Sequence, residues 1–294
     1  MPYAGIKCVA APAQSNAAHV VSATQAKKLG ATHYRYAFEI GWGLEALDSV
    51  VGTCKTLGLK MVLCVFRADR IIPTDLAGAQ AFAAKTVELL KRTQGLATHV
   101  EVWNEPNHKP FVVQQNPVAF AQLMVETHKA VKAALPSVVT ITGGLSPEPS
   151  PYAPHEFFAA CCKANPKFVW SFDLVGYHPY CFPHSPLGSE SWNAMLQAVT
   201  LWKATRTAYG RVAEFAATEF GAPSAWKDFN EAKQAQWISD YFKAFASRGP
   251  VWRLAGVFTA KDGNIGTGAA WEPSTGMYRG DLGEKPAANV FRIG

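Results

Sequence analysis

Lys60-Met61-Val62-Leu63-Cys64-Val65-Phe66 is apolar at six consecutive positions after its lysine. A strand with one face in water alternates apolar and polar residues. A strand covered on both faces need not, and such strands belong to parallel sheets overlaid by helices. The flanks agree with that reading. Leu44–Leu57 before this run and Leu76–Thr93 after it repeat their apolar residues at the three- and four-residue steps of a helix. Gly58 falls just past the first of them, where a left-handed cap is wanted.

The same alternation extends in both directions. Strands are predicted over Ile6–Ala10, His33–Phe38, Lys60–Phe66, His99–Trp103, Val138–Gly143, Phe172–Tyr177, Val212–Glu219 and Leu254–Thr259. Helices are predicted over Ala17–Leu29, Leu44–Leu57, Leu76–Thr93, Pro117–Leu135, Pro154–Ala164, Ser191–Tyr209 and Glu231–Ser247. Asn116-Pro117 reads as an N-cap followed by proline at the first helical position, and Gly30 and Gly210 also follow helical patterns. Eight βα units in 294 residues give about 37 residues each, the size of a (β/α)8 TIM barrel. An open doubly wound sheet would be expected to begin with a glycine-rich phosphate loop. Here the first strand runs into Ala10-Ala11-Pro12-Ala13-Gln14-Ser15-Asn16, which contains no glycine. With no linker or low-complexity segment, residues 1–294 are read as one barrel domain.

Composition narrows the function. Apolar residues make up 49% and charged residues 17%, enough for a sizeable core and too little charge for a disordered chain. The balance of 28 Lys and Arg against 22 Asp and Glu gives +6 and a pI near 8.9. The basic residues are scattered, the densest groupings being pairs such as Lys27-Lys28 and Lys91-Arg92, whereas a nucleic-acid binder gathers them into a stripe or arm. No apolar run is long enough to span a membrane. The N-terminus lacks the basic start and apolar stretch of a signal peptide. The chain is thus expected to act where it is made, to be phage-associated, or to come from a secreted protein that has lost a leader. Its six cysteines form no CxxC pair, and reduced thiols are expected. Nothing sets the oligomeric state, and a monomer is compatible.

In a barrel of this kind the active site lies at the C-terminal ends of the strands. The fourth strand ends in Val102-Trp103-Asn104-Glu105-Pro106-Asn107, an ionisable side chain directly after an apolar strand and about ten residues before the next helix. The seventh ends in Ala217-Thr218-Glu219-Phe220-Gly221. Strands four and seven lie three places apart around a ring of eight, so these ends can face each other across the mouth. Two carboxyls converging on one cleft is what glycoside hydrolysis requires: one donates a proton and the other attacks carbon or activates water.

These two motifs resemble those of clan A retaining glycoside hydrolases, closest in flavour to families 39 and 5, with the eight-strand register covering essentially the whole chain. The resemblance implies Glu105 as general acid/base and Glu219 as nucleophile, without metal or cofactor. It implies that Arg35, in His33-Tyr34-Arg35-Tyr36-Ala37-Phe38, donates to Glu219 and that Asn104 holds a sugar hydroxyl. It also implies that His178 and Tyr180 of Gly176-Tyr177-His178-Pro179-Tyr180 support the site. The chemistry further asks that Glu105 be protonated at the start, hence that its pKa be raised by apolar surroundings and a nearby negative charge. Trp42, Trp226 and Trp271 follow strands two, seven and eight and are candidate platforms for the apolar face of a sugar. His178, Cys181 and His184 superficially offer metal ligands but lack a fourth. Clan members usually end strand eight with tryptophan, where this chain has Val257-Phe258-Thr259, and many family 39 enzymes carry an extra β domain.

The expected function is hydrolysis of O-glycosidic bonds in a polysaccharide or oligosaccharide by double displacement. Two other functions share these residues. One is a transglycosylase, and the other a non-catalytic glycan-binding module of an envelope-recognition or phage adhesion machine.

Overall fold

In the computed structural model, eight parallel strands close into a barrel in chain order, β1 returning to pair with β8. The structure describes residues 3–11, 16–148, 151–190, 193–263, 270 and 272–294. The strands are β1 (Ile6–Ala11), β2 (His33–Ile40), β3 (Lys60–Arg67), β4 (Ala97–Asn104), β5 (Val139–Gly144), β6 (Leu174–Tyr177), β7 (Glu214–Phe220) and β8 (Trp252–Phe258). The helices between and after them are α1 (Asn16–Lys28), α2 (Leu44–Leu57), α3 (Leu76–Arg92), α4 (Pro117–Ala134), α5 (Pro154–Ala164), α6 (Ala194–Tyr209), α7 (Glu231–Ser247) and α8 (Pro286–Ile293). No described helix is long and apolar enough to cross a membrane.

Local chemistry sets the element ends. Asn116 Oδ1 accepts the Ala119 N–H at 3.0 Å ahead of Pro117, satisfying one of the donors a helix start leaves open. Gly58 and Gly210 end α2 and α6 in the left-handed conformation at φ 64° and 66°, where any other L-residue would be strained.

The core has two parts. The outward faces of the strands and the inward faces of the helices form the large layer, with Tyr34, Tyr36, Phe120, Phe215 and Tyr241 among its fully buried side chains. A smaller apolar cluster of Cys8, Val62, Ile141, Leu174, Ala216 and Leu254 fills the barrel interior. Val62 is the register partner of Arg35, and Ile141 that of Glu101. The lumen therefore holds an apolar floor level with its first buried charges. All six cysteines are buried, unpaired thiols.

Several element bounds differ from expectation, and three of the differences bear on packing. β6 begins at Leu174 rather than Phe172, whose ring instead packs on Phe158 and Phe168 at centroid distances of 5.9 and 5.6 Å. β7 begins at Glu214, leaving Val212 exposed. α8, not among the predicted helices, closes the ring against α7, and Phe291 packs at a tilt on Phe242 with centroids 5.8 Å apart.

Candidate active site

Side chains alternate in and out along a strand, and at two strand ends the backbone breaks that rule. On β4, Glu101 points into the lumen. Trp103 should do the same, but with φ 76° its indole packs on Phe82 of α3 and donates Nε1–H to the Phe111 carbonyl at 3.1 Å. Asn104 and Glu105, the latter at φ 44°, are then both turned inward. Left-handed backbone at non-glycine residues costs about 1–3 kcal/mol each and persists where its surroundings impose it. On β7 the register with β8 shifts between Ala217 and Phe220, three residues spanning two on the partner. That bulge lets the consecutive side chains of Thr218 and Glu219 both face the lumen.

Arg35 organises the floor of this cluster. It is 1% exposed, and its guanidinium donates Nε–H to Glu101 at 2.5 Å, Nη1 to Glu219 at 2.7 Å and Nη2 to Asn104 Oδ1 at 2.7 Å. The last bond orients the Asn104 carboxamide and leaves its N–H2 as the remaining donor. The second Glu219 oxygen accepts the Tyr180 hydroxyl at 2.9 Å. The expected donor from Arg35 to Glu219 is present. Glu101, which the strand-end argument did not single out, is the second half of the arrangement. It is fully buried and also accepts the Gly144 N–H and the Thr218 hydroxyl, each at 2.9 Å. Arg35 more than compensates for its burial and holds its carboxyl at about 2.

His178 joins the two predicted carboxylates. Its Nδ1 lies 2.8 Å from Glu105 Oε1 and 3.9 Å from Glu219 Oε2, which caps the separation of those oxygens at about 6.7 Å. Its Nε2 is 3.0 Å from Thr218 Oγ1, whose hydroxyl bridges it to Glu101. Burial opposes a charge on this imidazole. The surrounding Glu219, Glu101 and Glu105 carboxylates outweigh burial and raise it to about 9.

A second histidine, also missed, lies on the other side of Glu105. His108 Nδ1 is 2.8 Å from Glu105 Oε2, and its Nε2 is 3.1 Å from the exposed carboxylate of Glu148 on the loop after β5. The raised pKa expected of Glu105 is therefore corrected. Burial pushes the carboxyl up, but hydrogen bonds from His108 and His178 prevail and hold it at about 2. At His108 burial works against the charge, but hydrogen bonds to Glu105 and Glu148 overcome it and raise the imidazole to about 9. The protons nearest Glu105 reside on its imidazole partners.

The tryptophans separate. Trp226 continues a chain of rings that starts at Tyr180 and passes through Phe182, with centroid steps of 5.9 and 5.8 Å. Phe258, at the end of β8, meets Tyr180 edge-on at 6.5 Å. Trp42 meets Phe38 edge-on at 6.2 Å. Trp271 lies outside the described residues. The three residues with superficial metal-ligand character diverge: His178 to Glu105, the Cys181 thiol to the Pro179 carbonyl at 3.3 Å, and His184 towards Glu190 at 3.8 Å. No group of three or more His, Cys, Asp or Glu fit to hold a metal occurs among the described residues.

Gly144 shows how closely this cluster is fitted. A Cβ there would overlap the His178 imidazole and come within 2.6 Å of Thr218 Oγ1. Gly144→Ala is expected to displace both, and a misplacement of about 1 Å costs on the order of 10²-fold in rate. Steady-state kinetics beside a melting curve check this, the loss in kcat/KM exceeding what the fall in folded fraction explains.

Compared by sequence, the chain matches no protein-family model and no curated protein. Compared by structure, it matches many solved chains, glycoside hydrolases among them. A family 39 glycoside hydrolase from the gut symbiont Bacteroides cellulosilyticus WH2 superposes with a TM-score of 0.73 at 16% identity, covering 98% of this chain and 62% of that one. A glucosidase from Croceicoccus marinus superposes at 0.75 and 14%, covering 99% and 66%. A family 5 enzyme from Bifidobacterium longum, solved in complex with Manβ1-4GlcNAc, superposes at 0.70 and 12%, covering 98% and 77%. The chain thus spans less than two thirds of the first two structures. It shares with all three the fold of a closed barrel of eight parallel strands.

Proposed function

We propose that this chain is a retaining glycoside hydrolase, one catalytic barrel domain acting on O-glycosidic bonds of a polysaccharide or oligosaccharide. Glu105 is the general acid/base and Glu219 the nucleophile. The observation that carries this reading is the shared contact of both carboxylates with one nitrogen of His178, within about 6.7 Å of each other. That ceiling takes in the spacing of about 5–5.5 Å used by retaining enzymes and only the lower edge of the roughly 6.5–9.5 Å used by inverting ones.

The roles follow from what each carboxylate touches. Arg35 and Tyr180 donate to the two oxygens of Glu219 and aim it, so it attacks the anomeric carbon as the leaving oxygen takes a proton from Glu105. Glu105, flanked by two imidazoles, then takes a proton from the water that displaces Glu219. The Asn104 amide, fixed by Arg35, donates to a sugar hydroxyl, and Tyr180, Phe182, Trp226 and Phe258 offer apolar ring surface to sugar C–H faces.

A panel of p-nitrophenyl β-xylosides, β-glucosides, β-mannosides and β-galactosides, read by ¹H NMR of the first-formed sugar, tests the reading. Hydrolysis with retained anomeric configuration is expected on at least one. Inverted product, or no cleavage of any aryl glycoside or of a polysaccharide panel, overturns it.

A further inference from the structure

Both oxygens of Glu105 are occupied, Oε1 by His178 and Oε2 by His108, each at 2.8 Å. An acid that protonates a glycosidic oxygen must present one of them to the substrate. The two imidazoles differ in their freedom to give way. His178 is fully buried, and the single proton of the Thr218 hydroxyl is committed to Glu101, so Nε2 of His178 must be the donor to Thr218. That ring is locked on both sides. His108 is only half-buried at the mouth, and its other nitrogen is held by Glu148, a side chain that is 69% exposed. Oε2 is therefore the oxygen that can be released.

Resting on the reading of Glu105 as acid/base, we infer that His108 is a positioning residue that stores the catalytic proton at Glu105 Oε2 and yields that oxygen to the leaving group, with Glu148 fixing its tautomer. As an imidazolium it donates Nδ1–H to Glu105 and Nε2–H to Glu148. When the leaving group reaches Oε2, the Nδ1 proton moves to Oε2. The neutral imidazole that remains keeps its proton on Nε2, against Glu148. Oε2–H passes its proton to the glycosidic oxygen as the C1–O bond breaks and Glu219 bonds C1. In the second half, water bonds C1, Glu219 leaves, and the proton lost by the water returns through Glu105 to His108 Nδ1. The cycle consumes one water and no other proton.

Covering the mouth with a sugar drives the first transfer. It removes water from His108, and a water-free site favours neutral acid beside neutral imidazole over two separated charges. The charged groups around His108 are Glu105 just after β4, Glu148 from the loop after β5, and the exposed neighbour Lys109. Phe111 packs on the ring at 6.1 Å, with the Arg70 guanidinium 5.4 Å over that phenyl. The two carboxylates make the contacts, and they keep the imidazole protonated to about pH 9.

His108→Asn separates the hydrogen bond from the proton, since its amide keeps an N–H donor near the position of Nδ1 but cannot titrate. Relative to wild type, it is expected to lose roughly 10²-fold in kcat/KM on a methyl glycoside, the lower end for a general acid, and little on a dinitrophenyl glycoside that needs no protonation. The alkaline limb of the pH profile moves down with it, and Glu148→Gln moves it the same way by less. ¹⁵N-histidine NMR on wild type gives an activity-free readout, with His108 neutralising near pH 9 to the Nε2–H tautomer. An unchanged leaving-group dependence and pH profile in His108→Asn, or an Nδ1–H tautomer, overturns the inference. Glu105→Ala with azide keeps the two readings apart. If azide restores cleavage of the dinitrophenyl glycoside while His108→Asn behaves as wild type, only the role of His108 fails. If Glu105→Ala is itself as active as wild type on the methyl glycoside, the acid/base assignment fails.

Discussion

Glu219→Ala is expected to lower turnover of aryl glycosides by roughly four orders of magnitude or more, each tenfold being about 1.36 kcal/mol of barrier. The size of the effect follows from the role, since no neighbouring group can take over the bond to C1. Glu105 is held by two imidazoles, and Glu101 is fully buried beneath Arg35. The fold should tolerate the change, because Arg35 keeps its bonds to Glu101 and Asn104 when Glu219 is truncated. The space left beside Arg35 and Tyr180 suits a small anion. Added azide is therefore expected to restore cleavage of an activated glycoside and to give a glycosyl azide of inverted configuration. The azide product, read by NMR, is the decisive measurement. Activity within tenfold of wild type without azide would remove Glu219 from the nucleophile role.

How much of this was legible in the sequence depends on what each feature rests on. The strands were readable because both faces of each are covered, so Lys60–Phe66 shows itself as an uninterrupted apolar run, and the observed β3 differs by one residue. Errors fall where an apolar run continues past its pairing, as at Phe172 and Val212, or where an element is short, as in the eight residues of α8. Glu105, Asn104 and Glu219 were found by their place at strand ends, and Arg35 through a family resemblance. Glu101 had a signal that the strand-end rule passes over: it is a lone acid midway along a strand buried on both faces, where a charge needs a partner. His108 sits three residues after Glu105, and that spacing could have suggested it. Glu148 could not be foreseen, because its contact depends on how the loop after β5 folds back over β4. The low pKa of Glu105 belongs to the same class, being a property of partners brought together only by the closed ring.

Glu101→Gln is expected to be the most destabilising single change in the lumen, although Glu101 touches no substrate in the proposed mechanism. Removing one partner from a buried ion pair costs about 3–5 kcal/mol, because the other charge is left short of compensation. Here Arg35 would keep only Glu219 as a charged partner. A loss of that size lowers the melting temperature by on the order of 10 °C in a domain of this length. Acid should do the same to wild type. The Glu101 carboxyl is held at about 2 in the fold against an ordinary 4.5, so its contribution is fully present above pH 4.5 and is lost as pH falls towards 2. The Glu101→Gln variant should show a flatter decline across that window, which melting curves at stepped pH would reveal. Replacing the pair together separates packing from function. Buried ion pairs exchanged for apolar residues of similar volume are often neutral or stabilising, so Arg35→Met with Glu101→Met should recover much of the lost stability. Its activity should stay low, since Glu219 would then have only the Tyr180 hydroxyl to aim it. A double variant that regains both would mean that the guanidinium serves the fold alone.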